Sequence, residues 1–364
     1  MPSFDIRKSM TRNFAKFILA LFAGVLVIPS LPAVTIEWDR VDVRKGAKAK
    51  VGVTVVDVDG KPLAGVPVTG FFYHDWKMKV NEMTAPTDEN GHVWLSGMCD
   101  HNEVVVSVEK EGWYKTRYKL DFSGDDYPGD DKIGVKNGKW FPYAVQRTYV
   151  FKEKRNPIPM VAFSRHCIDV PDVDKEYGYD LEFGSLVEPY GDGKVADFYL
   201  KASWEEKANE VLVTMKMRFP NELDGAYFFP LYTCSELWSP YHADPEKEFQ
   251  RELAIVAKIE KDEKGHINTY NTIEEYPANQ GMIFRTRSVV DETGTLVSAH
   301  YGKIYGRLDV GGNNSRDIGI FCPEGILTFF NPVENDTNLE WDGKAHEGLK
   351  KGKHRLYNGG QSIY

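Results

Sequence analysis

Cysteines, basic runs and long apolar stretches are all scarce in this chain, and each scarcity removes a class of protein. The 364 residues include four cysteines, Cys99, Cys167, Cys234 and Cys322, with no CxxC pair and no histidine spacing suited to zinc. Metal binding through sulfur is therefore set aside. No block of about five or more Lys/Arg occurs, and the formal charge of −9 offers no general attraction for a phosphate backbone. Nucleic acid is not an expected partner. No GxSxG, HExxH, P-loop or strand-following GxGxxG is present. Glycan hydrolysis needs only two well-placed carboxylates, however, and 54 acidic residues leave room for such a pair.

What is present is the material of a folded core. The chain is 42% hydrophobic, 27% charged and 13% aromatic, with 32 Gly and 19 Pro. At ~100 to 200 residues per domain, its length predicts two domains.

The N-terminus carries Arg7, Lys8, Arg12 and Lys16, then the apolar stretch Phe17 to Ile28, then Pro29 and Ala33. That stretch fits the ~7 to 15 residues of a signal-peptide core and falls short of the ~20 of a membrane-spanning helix. Residues 1–33 are read as a signal peptide, with an uncleaved anchor as the alternative. Cleavage leaves 41 basic against 53 acidic residues, a charge of −12. The expected location is exported: periplasm, cell surface or extracellular, with no integral membrane domain after cleavage. In such a compartment the even cysteine count permits disulfides in three connectivities. Four thiols packed as small hydrophobes are the equal alternative.

From residue 34 to 156 the sequence predicts a small antiparallel β-sandwich. Val51, Val53 and Val55 share one face of a strand, and Val104, Val106 and Val108 share another. Between them lie Asp59-Gly60-Lys61-Pro62 and Asp88-Glu89-Asn90-Gly91, clusters in which Gly supplies a positive φ and Asp or Asn bonds the local backbone. The order Asp57 to Val68, then Thr87 to Gly91, then Lys110, Gly112, Trp113 and Tyr114 resembles the carboxypeptidase regulatory-like domain and its transthyretin-like and bacterial Ig-like relatives. The resemblance covers about residues 50–122. It implies an accessory, spacer or adhesion module and brings no catalytic residues.

Asp125, Asp126, Asp130 and Asp131 place four carboxylates in one Gly-rich loop, a candidate calcium site without EF-hand spacing. A solvated acidic loop is the alternative, and no other cofactor is expected. Val145 to Phe151 reads as a strand closing this sandwich, and Asn156-Pro157-Ile158-Pro159 marks the domain boundary.

Residues 157–335 predict a larger, jelly-roll-like antiparallel sandwich. Ala196, Phe198, Leu200, Ala202 and Trp204 face Val211, Val213, Met215, Met217 and Phe219 across a hairpin, with shorter apolar strands at Met282 to Val289 and Ile326 to Phe330. One short helix is expected at Asp244 to Leu253, where Asp244 can cap and Pro245 can open the first turn. Asp169, Asp172, Asp174 and Glu176 form a second carboxylate cluster that could face calcium or solvent. Residues 336–364 read as a polar tail that Trp341 and Tyr357 could dock.

The fold class is thus all-β, two antiparallel sandwiches. Trp238, Tyr241 and His242 are the candidate ligand-binding residues, because they share a long loop with Glu236, Asp244 and two prolines. The alternative is that Trp238 holds the loop down. The leading functional reading is an exported, non-catalytic binding or structural protein of the bacterial envelope, with a glycan or an envelope protein as partner. The competing one is a carbohydrate-active hydrolase or glycan-binding accessory protein with its site on the second domain. A buried constellation of reactive side chains after residue 160 would favour catalysis.

Overall fold

The computed structural model describes residues 46–343, apart from 75–78, 101–102, 122–133, 142, 232–235, 262–266, 274–279, 306–307 and 315–316. The expected signal peptide, the loop carrying Asp125, Asp126, Asp130 and Asp131, and Cys234 lie outside the described residues.

Nine strands build the first sandwich: β1 (Ala47–Val56), β2 (Pro67–His74), β3 (Lys79–Pro86), β4 (His92–Cys99), β5 (Glu103–Val108), β6 (Thr116–Asp121), β7 (Gly134–Lys136), β8 (Lys139–Phe141) and β9 (Val145–Val150). One sheet runs β4-β1-β8-β7 with β9 also on β1, and the other runs β3-β2-β5-β6. Val51, Val53 and Val55 meet Val104, Val106 and Val108 between them, each essentially fully buried. Their alternation is what turns this face inward. The closing strand β9 pairs with β1 in parallel, as β8 does, so this sheet is mixed and not purely antiparallel.

The turns form where the sequence places them, although in the first the accepting side chain is Asp57, two residues before the Asp59 cluster. Asp57 accepts the amides of Asp59 (2.9 Å) and Lys61 (2.8 Å). Asp88 accepts those of Asn90 and His92, both at 2.9 Å. Gly91 has φ +71°, and a Cβ there would stand 2.5 Å from the Val55 carbonyl, so only glycine fits.

The second half adds β10 (Val161–Val170), β11 (Glu176–Asp180), β12 (Ser185–Leu186), β13 (Phe198–Glu206), β14 (Glu210–Arg218), β15 (Gly225–Pro230), β16 (Glu252–Lys261), β17 (Ile267–Ile273), β18 (Gln280–Val290), β19 (Leu296–Tyr305), β20 (Asp309–Asn314) and β21 (Asp317–Phe330). They form two six-stranded sheets, β12-β11-β13-β14-β16-β17 and β10-β21-β19-β18-β15 with β20 on β21. The predicted hairpin is β13–β14, with Phe198, Leu200 and Ala202 packed beside Val211, Val213, Met215 and Met217.

The β21-containing sheet is covered on both faces. Phe284, Ile326 and Phe330 join the core shared with the other sheet, while Ile283, Leu327 and Phe329 join a second cluster under the segments carrying Leu231, Ala243, Leu339 and Trp341. Two-sided burial explains why stretches such as Met282 to Phe284 and Ile326 to Phe330 lack a clean apolar-polar alternation.

The helix expected at Asp244 to Leu253 is not formed. Asp244 caps a single turn, accepting the amides of Glu246 at Oδ1 (3.1 Å) and of Lys247 at its carbonyl (3.3 Å). Gln250 then exchanges two backbone hydrogen bonds with Ala226, and β16 starts at Glu252. Strand pairing outcompetes the helix start. No helix among the described residues is long and apolar enough to cross a membrane.

Candidate functional site

Three arrangements of charged side chains stand out: one sealed, one partly exposed and one open. The first joins the two sandwiches. Lys152 follows β9 and is buried, its Nζ donating to the carbonyls of Glu236 (2.8 Å) and Ser239 (2.6 Å). Lys303, on β19, has no solvent exposure and donates to Glu236 Oε1 (2.6 Å), Ser239 Oγ (3.1 Å) and the Leu339 carbonyl. The Tyr305 hydroxyl donates to the same Glu236 oxygen at 3.0 Å. Glu340 accepts from the Tyr114 hydroxyl (3.0 Å) and from the amides of Arg155 (3.2 Å) and Asn156 (2.7 Å).

Burial pushes the Lys152 ammonium down to about 8, against the pull of Glu236. It lowers Lys303 as well, again opposed by Glu236. Burial, with Glu236 and Glu340, raises the Tyr114 hydroxyl. Here is the buried constellation that would favour catalysis. Its geometry argues otherwise: all three Lys303 protons have acceptors, and Lys303, Tyr305, Glu236 and Glu340 are at most 2% exposed. Among the described residues these side chains are closed off from solvent.

The predicted boundary and the predicted tail take part in the same junction. Ile158 donates its amide to the Glu340 carbonyl and accepts from the Asp342 amide. On the other side, Ala243 and Leu339 donate to the carbonyls of Thr337 and Tyr241. Residues 337–342 thus form an extended strip between the linker and the loop after Glu236, with Leu339 and Trp341 buried.

That loop holds the three predicted ligand-binding residues. Trp238 is half-buried against the cluster containing Leu339. Tyr241, also half-buried, donates its hydroxyl to the Glu153 carbonyl (2.8 Å), and its ring lies between Lys152 (4.4 Å) and Arg155 (4.0 Å). His242 is exposed, with Nδ1 3.3 Å from the Thr337 hydroxyl. Sequence patterning passed over Lys152, Lys303 and Glu340. The available signal was a lysine at the end of an apolar strand, Tyr149 to Lys152, and another beside inward-facing Ile304.

The second arrangement is a clamp on residues 181–197. Arg287 donates to Asp197 (2.9 Å), Glu182 (2.6 Å) and Asp180 (3.2 Å). Asp180 also accepts the amides of Glu182, Phe183, Lys194 and Val195, and Asp197 accepts that of Leu181 and the Thr286 hydroxyl. Burial alone would lower the guanidinium's pKa, but the three carboxylates raise it on balance. The residues expected as a second calcium cluster are likewise dispersed. Asp172 takes Lys175 and the Tyr177 hydroxyl, Asp169 takes the Cys167 thiol, and Glu176 takes Arg218. Among the described residues no group of three or more His, Cys, Asp or Glu side chains is placed to hold a metal ion.

The third arrangement opens to solvent. On the outer face of β11, β13, β14 and β16, a depression of about 300 Å³ is lined by Glu176, Lys201, Lys216, Arg218 and Glu252, with Met217 and Leu253 among its walls. Arg218 grips Glu176 through two hydrogen bonds (3.1 and 2.9 Å) and lies over the Tyr199 ring at 4.8 Å. The Arg218 hydrogen bonds hold the Glu176 carboxyl below its usual range.

No family model matches the chain, and no curated protein sequence does. Among solved structures, it is similar to a 3-chlorocatechol 1,2-dioxygenase from Rhodococcus opacus 1CP, at 16% identity over 36% of this chain and 70% of that one, with a TM-score of 0.23. A DUF3823 family protein from Parabacteroides merdae ATCC 43184 aligns over 81% of this chain and 99% of its own, at 6% identity and a TM-score of 0.19. A putative carbohydrate binding protein from Bacteroides uniformis ATCC 8492 aligns over 79% and 100%, at 9% identity and a TM-score of 0.17.

Proposed function

We propose that this chain is an exported, non-catalytic binding protein of the bacterial envelope, in which a small carboxypeptidase regulatory-like sandwich supports a larger one that contacts a glycan. The observation that carries the reading is the division of charged groups: those described in the interior are engaged by hydrogen bonds to one another and to the backbone, with Glu236 Oε2 left over, while the depression on β11, β13, β14 and β16 faces solvent. A general acid for glycoside cleavage needs a raised carboxyl pKa. Glu176, in the open depression, is shifted the other way by Arg218. Of the three predicted ligand-binding residues in the loop after Glu236, His242 is the exposed one. The loop carrying Asp125, Asp126, Asp130 and Asp131 enters this reading as a calcium seat that would steady the small sandwich.

The test is a glycan array probed with the exported chain, followed by incubation of each bound glycan and assay for new reducing ends. Binding without cleavage is the expected result. Release of product, or no binding to any glycan, would overturn the reading.

A further inference from the structure

The depression has an electrostatic defect that points to its occupant. Lys201 of β13 and Lys216 of β14 are directly opposed in the strand register, and both line the depression. Directly opposed like charges destabilise a sheet pair. Relief is uneven: Lys201 faces Glu176 in the register but shares that carboxylate with Arg218, which holds both of its oxygens, and Lys216 has no ion pair among the described residues. The chain as a whole is acidic, so this pair is a local exception to its field.

We infer that Lys201 and Lys216 seat the carboxylate of an acidic sugar unit, with Glu176 and Glu252 beside them to accept hydroxyl hydrogen bonds from the same ring. The inference rests on the glycan-binding reading above and names the class of glycan. A volume of about 300 Å³ is at the lower end of small-ligand sites and suits one or two sugar rings. An acidic peptide fits less well. Peptides that add to sheets need an unpaired edge, and at Lys201 and Lys216 the strands β13 and β14 are paired on both sides.

The experiment is calorimetric titration of the full exported chain with trigalacturonate, with the neutral trisaccharide galactotriose and with a glutamate hexapeptide, for the wild type and for Lys201→Gln and Lys216→Gln. Trigalacturonate should bind, and each substitution should weaken it about tenfold, the worth of one charge-assisted hydrogen bond. In the absence of ligand both variants should melt at a higher temperature than the wild type, because each removes one of two opposed charges. A merely solvated surface pair would give neither loss of binding nor that pairing of signs.

Trigalacturonate binding unaffected by both substitutions would overturn the anion seat. So would galactotriose binding as tightly, which would leave the glycan reading standing. Tighter, lysine-dependent binding of the hexapeptide would replace the sugar with an acidic protein segment. Binding of none of the three would overturn the seat, and the array result would decide the broader reading separately.

Discussion

Gly91 occupies a backbone position that a side chain cannot share, with its missing Cβ aimed at the Val55 carbonyl. Gly91→Ala is expected to cost ~1 to 3 kcal/mol through left-handed strain and the forced shift of β1, measured by urea denaturation. No loss would mean that the turn relaxes freely. Buried charge at Lys303 and Glu236 leads to a different expectation. Removing one partner strands the other in the core, so Lys303→Met or Glu236→Met alone should cost ~3 to 5 kcal/mol. The double variant should cost less than the sum of the two, since no uncompensated charge remains. Additive losses in the double-mutant cycle would show that the pair is not coupled. The turns were legible in the sequence because residues such as Asp88 act on backbone atoms within a few positions of themselves, although in the first turn the acceptor is Asp57 and not Asp59. Lys303 was not, because its acceptors stand as far as 67 positions away and no local pattern encodes that encounter.

Elements exposed on one face were read correctly for the same local reason. In β13 and β14 the apolar side chains alternate, and two-residue periodicity alone sets the inward face. β21 was foreseen only from Ile326, although it begins at Asp317, because Pro323, Glu324 and Gly325 interrupt its apolar residues and read as the end of a strand. The helix assigned to Asp244 to Leu253 failed because a good cap and a proline describe only the first turn, whereas Ala226 captures Gln250 across the fold. The segment from Leu181 to Val195 packs Leu181 and Leu186 on the core, but five of its amides are held by the carboxylates that Arg287 clamps, so its order should also depend on Arg287. Arg287→Met is expected to destabilise the chain by ~3 to 5 kcal/mol by leaving Asp180 and Asp197 buried without their cation. It should also speed amide exchange at Leu181, Lys194 and Val195, which donate to those carboxylates. Unchanged protection at these amides would assign the order of the segment to its other contacts.

At the scale of the whole molecule, the two sandwiches meet through charged groups removed from water, an arrangement that fixes relative position more than it adds net stability. It also makes stability depend on pH in a definable window. Lys152 is pushed down to about 8 in the folded chain, against an ordinary value of 10.5. Between these values the unfolded chain keeps a proton that the folded chain has released, so this group makes stability rise with pH. The stability difference between the wild type and Lys152→Met should therefore move in favour of the wild type from about pH 7.5 to about pH 9.5; a constant or reversed difference would contradict the assignment. The most direct test of the central claim, that buried charge makes the two sandwiches one body, is differential scanning calorimetry of the exported chain. The wild type should unfold in one transition with equal calorimetric and van't Hoff enthalpies, and the Glu236→Ala, Glu340→Ala double variant should split into two. Two transitions in the wild type, or one that the double substitution leaves undivided, would contradict it.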